Sequence, residues 1–376
     1  LDVLRRSWDV VALGLNYNGD PHRWPYPIFP TGPDGFGLER LPAMVDGAKP
    51  DLIVIQNDPW NFPEYFNRLG ERLNDIPVVG AVAVDGLNCR GEGMNPLSHA
   101  IFWTQFGFDQ ARIGGFTRPA TVIPLGVDLD IYRPMDKMEA RRELVLPKLP
   151  DDAFIVTFVG RNQPRKRLDL LIDYFASWVK TKGRENAWLY LHVAPTGDKG
   201  YGISNLMHYH LPLAQYGRRL LWLSPEVYHG ASEEWMRLTY CASDVGVTCS
   251  QNEGFNLPMI ESMACGIPQV APDWAAHSST GWPGEALRKV DCSTFAATIG
   301  GANAIGGIPD KDDFIRALDH LYTLPNLRET LRERGLAKVA EPQFRWENIG
   351  LAWAKVLDGV MAEREKAAEV EVLEPY

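Results

Sequence analysis

Cationic side chains are the minority in this sequence: 38 Lys and Arg stand against 48 Asp and Glu, a formal net charge of −10 over 376 residues. That deficit argues against a nucleic acid as the main partner, because affinity for a phosphate backbone comes from clustered Lys and Arg. Long apolar runs are missing as well. The longest, such as 78–84, fall far short of the ~20 residues that cross a bilayer, and a soluble, cytoplasmic protein without a transmembrane segment is expected. Cysteine is scarce. The five present, Cys89, Cys241, Cys249, Cys265 and Cys292, are odd in number and widely spread, without CxxC or Cys/His ligand spacing, which predicts reduced, buried thiols. No GxGxxG turn is found, so a nicotinamide-dependent oxidoreductase lacks its phosphate-binding fingerprint. Neither a solenoid-period repeat nor a low-complexity tract occurs. The chain starts at Leu1 with no Met and no secretory signal pattern, so its true start is expected to be missing or processed.

What is present is apolar side chain, 45% of residues against 23% charged, which excludes a disordered protein; at ~150 residues per domain the length suits two domains. Short β-branched runs recur at 51–56, 78–84, 120–124, 154–160, 188–193, 245–249 and 268–271, separated by helix-period stretches. Strand and helix in alternation imply βαβ units and a parallel sheet. The clearest helix follows the fourth run: Leu168, Leu171, Ile172, Phe175 and Val179 repeat at i, i+3, i+4, i+7, i+11 and form one apolar face to cover a sheet. The pattern breaks down between Tyr132 and Asp152 into prolines and charges. The domains expected are therefore 1–134, a linker at 135–152, 153–343, and a C-terminal segment 344–376 that is helical through Trp346, Ile349, Trp353 and Val356 before a solvated or disordered tail. In doubly wound sheets ligands sit beyond the carboxyl ends of the strands, and a crevice between domains is the first place to look for function.

Two loops carry chemistry. After the strand FIVTFVG come Gly160, Arg161, Asn162, Gln163, Pro164, Arg165, Lys166 and Arg167, then a helix. A glycine at a strand-to-helix turn lets backbone approach an anion, and the helix N-terminus favours negative charge there. Four cations within seven residues are a local anomaly in an acidic chain, and their natural ligand is a phosphate or diphosphate; a solvated basic turn would leave the same trace. After the strand VGVTC come Ser250, Gln251, Asn252, Glu253, Gly254, Phe255, Asn256, Leu257, Pro258, Met259, Ile260 and Glu261. Pro258 suits a first helical turn, where a missing N–H has no partner to lose. Glu253 then lies in the loop and Glu261 in the opening turns of the helix. A carboxylate beside a diphosphate is repelled unless it turns aside, so both acids are better placed to accept hydrogen bonds from hydroxyls, such as those of a sugar and a ribose. Gly254 admits close approach, so its amide and those of its neighbours can point at an anion. For an isolated EGF tripeptide, helix-capping acids and a tight glycine turn would suffice.

The pair of loops, GRNQPRK and EGFNLPMIE, resembles the retaining glycosyltransferases of the GT-B fold, in particular family 4. VIPLGVDLDIYRP, EWMRLTYCASDVGVTCSQNEGF, MACGIPQVAPD and FRWE follow in the family's order, over roughly 50–353. The resemblance implies an α/β chain of two Rossmann-like domains facing across a cleft, the N-terminal one holding the acceptor and the C-terminal one a nucleoside-diphosphate sugar, UDP- or GDP-linked, with 344–376 returning to the first. It implies Arg161 and Lys166 on the donor diphosphate, Glu253 on hydroxyls of the transferred sugar and Glu261 on the nucleotide ribose. Gly160, Gly254, Phe255, Asn256 and Leu257 match donor-binding positions, and the base is expected around 222–225. It implies a hexose transferred with retention to the hydroxyl of an unidentified glycan, lipid or small-molecule acceptor. No cofactor and no metal are expected, since cations, loop amides and a helix N-terminus stabilise the leaving group and no DxD-type motif ends a strand.

The family normally opens with a strand and a Gly-rich loop, whereas LDVLRRSWDVVAL reads as the end of a first helix and the second strand. Where the family often has a His near the transferred sugar, this sequence has Val82-Ala83-Val84-Asp85-Gly86; Asp85 either takes a sugar contact or starts an Asp-Gly turn. A catalytically weak GT-B protein that binds nucleotide sugar or glycan as a sensor or scaffold is the alternative function. The tryptophans, Trp274 and Trp282 among them, read as packing; His277, just after the strand at 268–271, falls near the expected crevice, but a lone histidine is a weak signal. The glycine-rich run 300–307 reads as a mobile surface loop.

Overall fold

The computed structural model describes residues 1–373 except 16, 145–148, 151, 195–199, 217–218, 223–229 and 300–303. The chain divides into two compact units: one made of Leu1–Val84, Asn88–Pro124 and the segment from Trp346 onward, the other of Asp85–Leu87 and Leu125–Arg345. Among the described residues no helix is long and apolar enough to cross a membrane.

In the first unit, strands β1 (Ala12–Gly14) and β2 (Ile28–Pro30) form a parallel pair. Strands β3 (Ile53–Asn57), β4 (Val78–Val82), β5 (His99–Phe102) and β6 (Ala120–Val122) form a parallel sheet in that order. All of β4 is buried, which explains why VVGAV is apolar without alternation: both faces are covered. Because successive side chains point to opposite faces, Val78 and Val82 join Phe62, Leu69, Phe102 and Phe116 on one side. Val79 and Ile101 meet Ile349, Leu357 and Val360 of the helix Trp346–Leu373 on the other. Burying each of those three helix side chains contributes roughly 2 kcal/mol.

The second unit is built on a six-stranded parallel sheet. Its strands are β7 (Phe154–Val159), β8 (Ala187–His192), β9 (Leu220–Trp222), β10 (Val245–Val247), β11 (Gln269–Pro272) and β12 (Leu287–Val290), arranged β12-β11-β10-β7-β8-β9. The helix Leu168–Lys182 buries the expected face, Leu168, Leu171, Ile172, Phe175 and Val179, and adds Trp178. Its end is set by Gly183, whose left-handed φ of 62° a side chain would strain. Strand order reverses between β7 and β10, since β8 and β9 lie on one side of β7 and β10 to β12 on the other. In doubly wound sheets ligands sit at the carboxyl ends of the strands that flank such a reversal.

Several elements differ from their sequence reading. Strand β5 and strand β12, LRKV, are too short or too charged to announce themselves. Within 135–152 the chain forms the helix Lys137–Glu143. The run 300–307 is not simply a surface loop: 300–303 lie outside the described residues, but strand β14 (Ile305–Ile308) pairs antiparallel with β13 (Thr294–Ala297). The C-terminal helix continues to Leu373, well into the tail.

Asp244, just before β10, ties the helix Lys137–Glu143 to this sheet. Its carboxylate takes Arg141 Nη2 at 2.9 Å, Lys137 Nζ at 2.7 Å and the Ile155 amide at 2.8 Å. Arg141 is 7% exposed, so removing its partner leaves a charge out of water. Asp244→Ala is expected to lower the unfolding free energy by about 3 kcal/mol in urea titrations; a change under about 0.5 kcal/mol, the scatter of a surface substitution, would contradict this.

Candidate active site

Both chemistry-bearing loops leave the two strands that flank the reversal. From β7 the chain turns at Gly160, where an added Cβ would come within 2.9 Å of the Phe158 ring. It passes through a 3-10 turn at Pro164–Lys166 and enters the helix Leu168–Lys182 from Arg167, itself left-handed at φ 49°. From β10 it runs through 248–256 into the helix Leu257–Ala264, with Pro258 in its first turn. The left-handed residue there is Asn256, at φ 74°, and not Gly254.

The two loops are bonded together. The Gln251 amide donates to the Arg165 carbonyl at 2.8 Å, and Arg165 Nη1 donates to the Asn252 carbonyl at 2.6 Å. Glu253 is 5% exposed; its Oε1 accepts from Lys166 Nζ and its Oε2 from Arg165 Nη1 at 3.2 Å. Burial alone would push the Glu253 carboxyl up, but Lys166 and Arg165 outweigh it and hold it down at about 2. Burial pushes the Lys166 ammonium the other way, downward, against the pull of Glu253. Close pairing with the two cations is what keeps the buried Glu253 carboxyl ionised. Asp85 joins from the far side of the same guanidinium, its Oδ2 3.8 Å from Arg165 Nε. Burial pushes its carboxyl upward, opposed by Arg165 and reinforced by Glu253. Gly86 has no positive φ, so Asp85-Gly86 is not a left-handed Asp-Gly turn.

The cations do not act alike. Arg165 and Lys166 face Glu253, Arg167 forks onto Asp169 of its own helix at 2.9 and 3.0 Å, and Arg161 is exposed. Sequence reading set Arg161 beside Lys166 and passed over Arg165; the signal available was its position, one residue before the lysine. Glu261, in the second turn of its helix, accepts from Tyr240 Oη at 2.7 Å. Burial raises its carboxyl, and the Tyr240 hydroxyl works against that rise.

Trp282, read as packing, and His277, placed near the crevice, both support the Glu253 loop. Trp282 Nε1 donates to the Phe255 carbonyl at 2.7 Å. His277, 1% exposed, has Nδ1 3.2 Å from the Pro272 carbonyl and Nε2 3.0 Å from Asn256 Nδ2. A carbonyl only accepts, so Nδ1 carries the proton and Nε2 accepts from the amide. Burial lowers this imidazole to about 4, keeping it neutral and able to accept. Leu257 opens the helix behind this loop. Beneath the loop a cavity of about 20 Å³ is lined by Thr157, Thr248, Glu253 and Asn256 among others; it has room for about one water and not for a nucleotide sugar. Of the stretch 222–225, residues 223–225 lie outside the described residues.

Residues 153–301 match the family model described as Glycosyl transferases group 1. The D-inositol 3-phosphate glycosyltransferase of Stackebrandtia nassauensis is 32% identical over 230 residues, 61% of this chain and 46% of that protein. The D-inositol 3-phosphate glycosyltransferase 2 of Catenulispora acidiphila is 33% identical over 253 residues, 67% of this chain and 51% of that protein. The chain thus spans about half the length of these curated relatives. Among solved structures, sucrose-phosphate synthase from Thermosynechococcus elongatus is similar at a TM-score of 0.73 and 19% identity, over 96% of this chain and 90% of that one. HepE of Anabaena, in complex with UDP and glucose, is similar at 0.63 and 17%, over 89% and 86%. These likenesses show the fold: parallel-sheet α/β units of the GT-B class. The matched stretch contains the Lys166 and Glu253 loops; Asp85 lies outside it.

The depressed Glu253 value carries a pH consequence. Between its ordinary value of 4.5 and about 2, the unfolded chain binds a proton that the folded chain refuses. The stability it contributes is therefore present above pH 4.5 and lost as pH falls towards 2. In a Glu253→Gln/Lys166→Met double variant, the acid-induced loss of unfolding free energy over this window is expected to be smaller than in wild type by about 3 kcal/mol. Identical acid titration curves for the two proteins would show that Glu253 titrates normally.

Proposed function

We propose that this protein is a retaining, metal-independent glycosyltransferase that moves a sugar from a UDP- or GDP-sugar to a hydroxyl acceptor. The observation that carries the reading is the buried contact of Glu253 with Lys166 and Arg165 where β7 and β10 end. The similarity of 153–301 to the glycosyl transferases group 1 model supports it.

The chemistry requires the two kinds of charge found there. Breaking the anomeric C–O bond builds negative charge on the departing diphosphate and positive charge on the sugar ring. Lys166, Arg165 and Arg161 answer the first, with the amides of Gly254 and Phe255 and the N-terminus of the helix Leu257–Ala264 behind them. Their attraction grows as the bond breaks, which is the condition for catalysis. Glu253, ionised at neutral pH, accepts hydrogen bonds from sugar hydroxyls, and Asp85 does so from the opposite side of Arg165. Glu261 accepts from the ribose, with Tyr240 sharing its carboxylate. Gly160, Asn256 and Leu257 shape the loops that carry these groups. A leaving-group oxygen deprotonates the acceptor on the front face, so no side-chain nucleophile is needed.

The first acceptor to assay is a phosphorylated cyclitol, the class named in the curated relatives. UDP-, GDP- and ADP-sugars are screened by thermal shift, since a ligand bound only by the folded state raises its midpoint. Lys166→Ala and Glu253→Ala are then compared with wild type for turnover of the donor that binds. Each is expected to lose at least about 10²-fold in rate, with circular dichroism unchanged. Full turnover in either variant would remove the proposed roles, and the absence of any nucleotide-sugar shift in wild type would remove the function.

A further inference from the structure

The hairpin β13–β14 contributes no residue to the loops described above, and its side chains Phe295 and Ile299 are exposed. It nevertheless holds both acid-bearing segments. The Leu87 amide donates to the Ile305 carbonyl at 2.8 Å, and the Ile305 amide returns a bond at 3.4 Å, so the chain just after Asp85 pairs antiparallel with β14. On the other strand, the Gln251 side-chain amide donates to the Ala296 carbonyl. Asn252 Nδ2 donates to Thr298 Oγ1 at 2.8 Å.

Asn252 is the common element. It is 1% exposed, it directly precedes Glu253, and its Oδ1 has no hydrogen-bond partner. That oxygen lies against two glycines. A Cβ on Gly86 would stand 2.7 Å from it, and a Cβ on Gly306 would overlap it. Neither glycine has a positive φ, so each is there for the space it leaves. The Asn252 amide is thus wedged between the neighbour of Asp85 and the β14 strand, while its own peptide carbonyl receives Arg165.

We infer that the β13–β14 hairpin, acting through Asn252 and Thr298, fixes the spacing of the Asp85 and Glu253 carboxylates and so selects the arrangement of hydroxyls on the transferred sugar. This rests on the reading of the site as a nucleotide-sugar site. The two carboxylates straddle a single guanidinium, with Arg165 Nη1 3.2 Å from Glu253 and Nε 3.8 Å from Asp85. Hydrogen bonds to a sugar hydroxyl weaken steeply as the donor–hydrogen–acceptor angle falls towards about 120°. A change in how Asn252 is held therefore moves both acids relative to the sugar, while the contact proposed for the nucleotide ribose at Glu261 does not pass through Asn252. Asn252 and Thr298 are positioning residues, with Asp85 and Glu253 making the contacts.

The test separates the sugar from the nucleotide. UDP-glucose, GDP-mannose and ADP-glucose, with UDP, GDP and ADP as sugar-free controls, are titrated into wild type, Thr298→Val and Thr298→Ser. Valine matches threonine in shape and loses the hydroxyl that Asn252 uses; serine keeps it. Thr298→Val is expected to bind the nucleotide sugar preferred by wild type about tenfold more weakly, about 1.4 kcal/mol. Its affinity for the matching free nucleotide should stay within about twofold of wild type, well inside that difference. Thr298→Ser should restore the sugar term, and Gly306→Ala, which displaces the same amide from the other side, should repeat the pattern of Thr298→Val. Equal loss for sugar nucleotide and free nucleotide, or no loss in either variant, overturns the inference alone. Wild type that binds none of the six ligands overturns the site reading, and the inference with it.

Discussion

A carboxylate and an ammonium removed from water together set the terms for the second unit. Glu253 and Lys166 are each almost wholly buried. Taking either charge out of water costs several kcal/mol, which only close pairing offsets. The consequence reaches outward from the pair. Arg165 must lie beside Glu253, the peptide of Asn252 must face Arg165, and the Gln251 amide must reach back to the Arg165 carbonyl. Two loops far apart in sequence are thereby fixed as one polar body before any ligand arrives, and preorganisation of this kind is what makes fixed charge useful to a reaction.

The fold supplies the place. β7 and β10 are neighbours in the sheet although β8 and β9 come between them in sequence, because after β9 the chain crosses back to the other side of β7. Loops leaving the carboxyl ends of these two adjacent strands start side by side, so the Arg165 and Gln251–Glu253 segments can bond to one another. The buttresses follow from the same economy of space. Trp282 takes the Phe255 carbonyl and His277 takes the Asn256 amide, so the residues after Glu253 cannot relax away from the cation loop.

Most of the sheet was legible because buried parallel strands are apolar on both faces. VVGAV, FIVTFV and AWLYLH leave little doubt, and the helix after β7 shows its stripe plainly. What stayed hidden has physical reasons. β12 mixes Arg and Lys into a strand whose ends alone are buried. β13 is short and largely exposed, and β14 is short and half glycine, so neither period nor burial marks them. Within the site, residue type pointed to the two loops, but the division of labour among Arg161, Arg165 and Arg167 depends on which way each side chain leaves the loop 160–167, in which Arg167 alone of the three is left-handed. Asn252 was invisible as a participant because a wedged amide has no sequence signature, and His277 could be placed near the crevice but given no role because a neutral buried imidazole has none either. Asp85 was legible as a candidate, yet the reason for its glycine neighbour lay in contact with Asn252 and not in turn geometry.

The discontinuity of the two units has a further consequence. Asp85–Leu87 belongs with the second unit, although the chain on either side of it belongs with the first. A gene segment encoding only 125–345 would therefore carry the cation loop, the Glu253 loop and the hairpin, but not the tripeptide that pairs with β14. Recombination that exchanged this segment between related proteins would deliver the cation and Glu253 loops while leaving Asp85 to be inherited from the recipient. The two carboxylates around Arg165 are thus free to be drawn from different parents.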